Sequence, residues 1–145
     1  MSQRQSKSLV VFLSSFLDSI PSPYNANYGA SKAFIKSFGE SIGLENMNIN
    51  VSVLKPLYVK TRLSSFVSGK NWLLASPEEC VASSIKDIEK GYLISHGYWK
   101  HKIAALFILN NIMKRWMIEW VAKNNKKAEE RVKKYKLLKK HSNKP

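Results

Sequence analysis

The chain has 145 residues, a single cysteine and a formal net charge of +14. The length sets the expectation of one domain with a real core, and a lone Cys80 excludes an internal disulfide and Cys-x-x-Cys metal motifs. The charge is uneven: residues 123–145 hold ten Lys/Arg against two Glu, net +8, and residues 1–122 hold fourteen against eight acidic residues, net +6.

Residues 1–7 are polar and read as a loop or a frayed helix end. With no cleavage-site pattern after the first apolar run, no secretory signal is read. That run, Leu9–Leu13, reads as a strand buried on both faces, as in a parallel sheet under helices. Ser14 and Ser15 then fall at its C-terminal end, the edge where open α/β sheets build their sites. From Phe16 to Asn27 the chain reads as a loop, broken by Pro21, Pro23 and Asn25, with Tyr24 a secondary candidate phenol. A helix opens at Asn27-Tyr28, with Ala30, Ala33, Phe34, Phe38 and Ile42 forming the expected buried stripe, and ends over residues 43–48. Ile49–Leu54 reads as the next strand, stopping before Pro56. Strand, helix, strand is a βαβ unit with a right-handed crossover expected.

Residues 62–76 read as irregular, with a turn at Gly69-Lys70-Asn71 and an apolar patch at Trp72-Leu73-Leu74. A substrate flap and a plain surface loop both fit. Ser76-Pro77-Glu78-Glu79 is a helix start. That helix is expected to carry Val81, Ile85 and Ile88 inward and to end at Gly91. A short strand follows at residues 92–95. The uncharged stretch Ile103–Met113 is eleven residues long, whereas a bilayer-spanning helix needs about 20. Lys114, Arg115, Trp116 and Trp120 follow, which suits a helix lying at a membrane interface. A helix packed on its own domain or on a partner fits equally. From Lys123 the chain reads as a charged helix fraying into Lys-rich coil. No stacking aromatic array or nucleic-acid motif accompanies it, so nucleic acid is not the expected partner.

Tyr28 and Lys32 are four positions apart, one turn apart on one helix face. A phenol beside an ammonium is favoured in its ionised form and exchanges a proton closer to neutral pH. Ser15, thirteen positions before Tyr28, would hold a substrate oxygen beside it. The Tyr-x-x-x-Lys spacing on its own describes a solvated helix pair. No metal site is read.

Taken together, Ser15, Tyr28, Lys32 and the segment Pro56-Leu57-Tyr58-Val59-Lys60-Thr61 resemble the short-chain dehydrogenase/reductase family. Leu9–Ser15 resembles the family's fifth strand with its serine, Tyr28–Phe34 its Tyr-x-x-x-Lys helix, and Pro56–Thr61 its Pro-Gly-x-Val-x-Thr loop, with Leu57 in place of the glycine. Within the family the likeness is to the membrane-bound branch of 17β-hydroxysteroid dehydrogenases and very-long-chain 3-oxoacyl-CoA reductases. Ala33-Phe34, Gly91-Tyr92-Leu93-Ile94 and the Lys-rich end carry that likeness.

The resemblance implies an α/β fold: the C-terminal half of a Rossmann-like, doubly wound parallel sheet over residues 1–100, then an apolar and Lys-rich helical segment over 101–145. It implies carbonyl reduction on a 3-oxoacyl-CoA or 17-ketosteroid-like lipid. NADP(H) would be the hydride donor, with NAD(H) the alternative. Tyr28 would be the general acid. Lys32 would assist it and hold the nicotinamide ribose. Ser15 would polarise the carbonyl, and Pro56, Val59 and Thr61 would contact the cofactor. It also implies a place on the cytosolic face of the endoplasmic-reticulum membrane, touched through residues 103–145.

The sequence lacks the family's Gly-rich turn and its active-site Asn. The chain is therefore expected to depend on a missing N-terminal half or a second copy, and to be poorly soluble or inactive alone. The competing expectation is a degenerate, non-enzymatic module that binds a membrane surface or a partner.

Overall fold

The computed structural model describes residues 8–45, 48–61, 73–107 and 111–142, with side chains in the last stretch described for 113–134 and 136. The apolar run forms strand β1 (Ser8–Leu13), and Ile49–Leu54 forms β2. They pair in parallel over their full length, from Ser8 opposite Ile49 to Leu13 opposite Leu54. Helix α1 (Ala26–Glu45) connects them, so the expected βαβ unit is present. A second parallel pair joins β3 (Tyr58–Val59) to β4 (Leu74–Ala75). Helix α2 (Pro77–Glu89) leads to β5 (Ile94–Ser95), which pairs in parallel with the far side of β2, giving the order β1-β2-β5. Two helices close the chain, α3 (Trp99–Phe107) and α4 (Asn111–Ser142). The fold is α/β on a parallel sheet, as expected. The flap reading of 62–76 falls mainly on residues 62–72, outside the described ones, as do residues 1–7.

Three packing expectations are corrected. First, β2 is buried at Val51, Ser52 and Val53, but β1 is covered on one face only, leaving Leu9, Val11 and Leu13 exposed at the sheet's edge. Second, α1 faces the sheet with glycines and not with its phenylalanines. A Cβ at Gly39 would sit 2.8 Å from Phe12 Cδ2 and 2.9 Å from Val53 Cγ2, and one at Gly43 would sit 2.9 Å from Leu93 Cδ1. Missing side chains let the helix backbone lie close to the strands, and this rotation turns Phe34 and Phe38 outward. Phe38 meets Phe12 edge-on at 5.8 Å and stacks on Phe34, also at 5.8 Å.

Third, α2 buries Ser84 and Asp87 and exposes Val81 and Ile85. A polar anchor outweighs the apolar stripe here. Asp87 accepts from Ser95 Oγ and from Lys102 Nζ, each at 2.7 Å, tying α2 to β5 and α3. The start of α2 matches its sequence: Ser76 and Glu79 form a reciprocal capping box with Pro77 in the first turn. Its end does too, because Gly91 follows the C-cap with φ +73°, a left-handed conformation suited to glycine.

The principal apolar cluster lies at the C-terminal edge of the sheet. Phe16 and Ile20, just after β1, pack with Leu73, Ala104 of α3, and Met117 and Val121 of α4. Asn125 of α4 donates to the Pro23 carbonyl at 2.9 Å and to Ser22 Oγ at 3.2 Å. Of the readings left open for 103–122, packing on its own domain describes Ala104, Met117 and Val121. Beyond Ala128 the described side chains of α4 are exposed, and the helix continues to Ser142. Among the described residues no helix is long and apolar enough to cross a membrane.

The Gly39 contact is testable. Gly39→Ala is expected to lower the urea midpoint of a soluble preparation by the equivalent of about 1–3 kcal/mol. Adding Phe12→Leu should recover part of the loss, since the two positions share one contact.

Candidate functional site

Strand β1 ends at Leu13, and the backbone stays extended through Ser15 (φ −161°, ψ 156°) before a 3-10 turn over Phe16–Asp18. Ser15 Oγ accepts from the Leu17 N–H at 3.3 Å, capping that turn, so the hydroxyl proton is left to donate elsewhere. The Phe16 N–H donates to the Pro56 carbonyl at 3.0 Å. The residue after Ser15 is thereby joined to the loop after β2.

Tyr28 lies in the first turns of α1 and is 39% exposed. Lys32, one turn on, reaches back: its Nζ donates to the Leu13 carbonyl at 2.9 Å and lies 5.6 Å from the centroid of the Tyr28 ring. The hydrogen bond pins the ammonium at the C-terminal end of β1, two residues from Ser15. Ser14 Oγ lies 2.8 Å from both the Lys32 carbonyl and Asp18 Oδ2, and its one proton serves either acceptor. Ser15, Tyr28, Lys32 and the start of the Pro56 loop are therefore held at one sheet edge. Val59 lies further along, in β3 opposite Ala75, and Thr61 is exposed just after it.

Behind this edge is a polar knot that the sequence reading missed. The side chains of Asp18 and Lys55 are both buried and form an ion pair at 2.8 Å. Lys55 Nζ also donates to Ser19 Oγ at 2.8 Å, and Asp18 accepts from Ser14 and from Ser19 as well. The only sequence signal was a lysine wedged between Leu54 and Pro56, and nothing pointed to a partner 37 positions away.

Two histidines complete the edge. His101 is fully buried. Its Nδ1 accepts from the Leu57 N–H at 3.3 Å, and its Nε2 lies 2.8 Å from the Leu73 carbonyl. Nδ1 also lies 3.2 Å from the His96 carbonyl, so the ring is held by backbone groups on both nitrogens, and burial pushes its pKa below the usual histidine value. His96, at the end of β5, is pushed down by burial and then by the nearby Lys55 charge. Its Nδ1 is buried without a hydrogen-bond partner among the described residues. Tyr58 is pushed up by burial and packs edge-on against Trp120 at 5.5 Å, so this phenol stays protonated.

An open apolar groove of about 550 Å³ runs between the turn after β1 and α1, lined by Ile20, Pro21, Pro23, Ala26 and Ala30 among others. Neither Tyr28 nor Lys32 lines it. Tyr24, beside it, is exposed and takes a left-handed φ of 63°. Among the described residues no group of His, Cys, Asp or Glu gathers as metal ligands.

The family model for short chain dehydrogenases matches residues 1–71. A very-long-chain 3-oxoacyl-CoA reductase of Emericella nidulans is 30% identical over 96% of this chain and 41% of its own length. One from Vanderwaltozyma polyspora is 29% identical over 77% of this chain and 34% of its own. An inactive hydroxysteroid dehydrogenase-like protein 1 of Homo sapiens is 31% identical over 80% of this chain and 36% of its own. The chain thus spans about two fifths or less of the length of these curated relatives. No solved structure matches it.

Two outcomes test the knot and the histidines. Lys55→Met strands a buried carboxylate and is expected to cost about 3–5 kcal/mol in denaturant unfolding, whereas Asp18→Leu with Lys55→Met should be nearly neutral. His96 and His101 have folded values below the unfolded 6.5. The unfolded chain therefore binds more protons as pH falls below about 6.5, and stability should drop between that pH and the lower folded values. A thermal midpoint measured from pH 7.5 to 5 should fall, and His101→Gln should flatten the slope.

Proposed function

We propose that the chain is a member of the short-chain dehydrogenase family and forms the catalytic half of a carbonyl reductase acting on 3-oxoacyl-CoA or a similar lipid-like ketone. The observation that carries this reading is the Lys32 Nζ bond to the end of β1, which sets an ammonium beside the Tyr28 phenol and close to Ser15. Tyr28 gives its proton to the substrate oxygen. Ser15, with its proton free, holds that oxygen in place. Lys32 supplies positive charge next to the ring and a donor for a ribose hydroxyl.

The cofactor of this reading is NADP(H), which supplies the hydride when bound. Lys32 and the Pro56–Thr61 loop suit the nicotinamide-ribose end, and the chain carries no Gly-rich turn for the pyrophosphate. That end belongs to another half. The open edge and uncovered face of β1, with Leu9, Val11 and Leu13 exposed, suit a further parallel strand and its helix. The assembly is proposed to sit on the cytosolic face of the endoplasmic-reticulum membrane.

A second reading is favoured by the human relative that is named inactive: a non-enzymatic module keeping the fold. Activity separates the two. In an assembly that includes the cofactor-binding half, Tyr28→Phe should lower NADPH-dependent reduction of a 3-oxoacyl-CoA by about 10²–10⁴-fold while NADPH binding is kept. Turnover unchanged in the variant removes Tyr28 from its role. No turnover by the unmodified assembly favours the non-enzymatic module.

A further inference from the structure

The rotation of α3 is fixed from inside. His101 and Ala104 are buried, and Lys102 is tied to Asp87 at 2.7 Å. The opposite face presents Trp99 (57% exposed), Ile103 (38%), Leu106 (65%) and Phe107 (40%). Their spacing of i, i+4, i+7 and i+8 makes one continuous apolar ridge on the surface. Lys100 Nζ lies 5.3 Å from the Trp99 ring centroid, so a cation borders the ridge at its first aromatic residue. Early in α4, Trp116 is 58% exposed, directly after Lys114 and Arg115.

Charge decides what covers this ridge. From Lys90 to Ile118 the sequence has five Lys/Arg and no Asp or Glu. A second copy of a chain with net charge +14 would bring like charges together across the contact. Nucleic acid would complement the charge but has no use for a row of Trp, Ile, Leu and Phe. An anionic lipid surface complements both features: apolar side chains enter the acyl boundary, Trp sits at headgroup level, and cations meet the phosphates. Among the described residues no helix is long and apolar enough to cross a membrane, and a ridge of this kind suits a position in the plane of the interface. The net +8 over residues 123–145 adds to the attraction, each cation close to an anionic surface strengthening partition by about fivefold.

We propose that the outward face of α3, with Trp116 and its neighbouring cations, seats this chain in the headgroup region of an anionic phospholipid surface. The proposal deepens the membrane placement given above and does not depend on the reductase reading.

The test is flotation of the full chain through a sucrose gradient, in which aggregates sink and vesicle-bound chain rises. Vesicles of phosphatidylcholine with phosphatidylserine should carry the chain up, vesicles of phosphatidylcholine alone should carry much less, and high salt should weaken binding. Leu106→Ser with Phe107→Ser changes only exposed side chains, so its far-UV circular dichroism should match the unmodified chain, while its bound fraction should fall at least about tenfold. Equal flotation of this variant overturns the ridge and leaves membrane placement to the basic end. Failure of the folded, unmodified chain to float on either vesicle overturns both. Equal binding to neutral and anionic vesicles overturns the charge requirement. A dimer in sedimentation that the double variant abolishes, with no flotation, assigns the ridge to a second copy.

Discussion

The buried ion pair between Asp18 and Lys55 is the constraint on which the candidate site at the sheet's edge depends. It joins the turn after β1 to the end of β2, the two places that must come together for Ser15 and the Pro56 loop to share a site. Burying two charges is expensive unless each is paired and hydrogen-bonded. Here Ser14 and Ser19 supply the remaining bonds, and the backbone around Lys55 is pinned by its N–H on the Ser95 carbonyl at 2.6 Å. A chain that folded with Asp18 displaced would strand a cation beneath the sheet's edge. The alternative arrangements of this loop are therefore costly, and the edge is held to one geometry.

The order β1, α1, β2, α2, β5 was legible because it rests on local signals, whereas the two-residue strands β3 and β4 lie in stretches that read as loop and irregular chain. β1 and β2 are short runs rich in Val and Leu or Ile, Pro56 stops the second, and the Ser76–Glu79 box opens α2. Each signal is read within a few residues of where it acts. The Tyr28–Lys32 pair was legible for the same reason, since a helix fixes that spacing wherever it forms.

Facing directions were not legible. The apolar stripe of α1 pointed to Phe34 and Phe38, yet the helix turned its Gly39 and Gly43 to the strands, because the closest approach is won by the absence of side chains. Helix α2 likewise buried Asp87 in preference to Val81 and Ile85. Both outcomes depend on partners far along the chain: Phe12 and Val53 for one, Ser95 and Lys102 for the other. Periodicity carries no information about them. The same holds for Asp18 with Lys55, and for His101, whose ring bridges Leu57 and Leu73.

Lys32 spends its hydrogen bond on a peptide carbonyl and not on a carboxylate. A carbonyl has a dipole but no net charge, so the bond fixes where the ammonium sits without cancelling it. The sheet's edge therefore projects a positive field into the solvent in front of Tyr28. Molecules rich in phosphate are steered by such a field before any atom touches, and the steering fades as the Debye length shortens. One intrachain hydrogen bond thus sets the field at the sheet's edge as well as the position of the side chain.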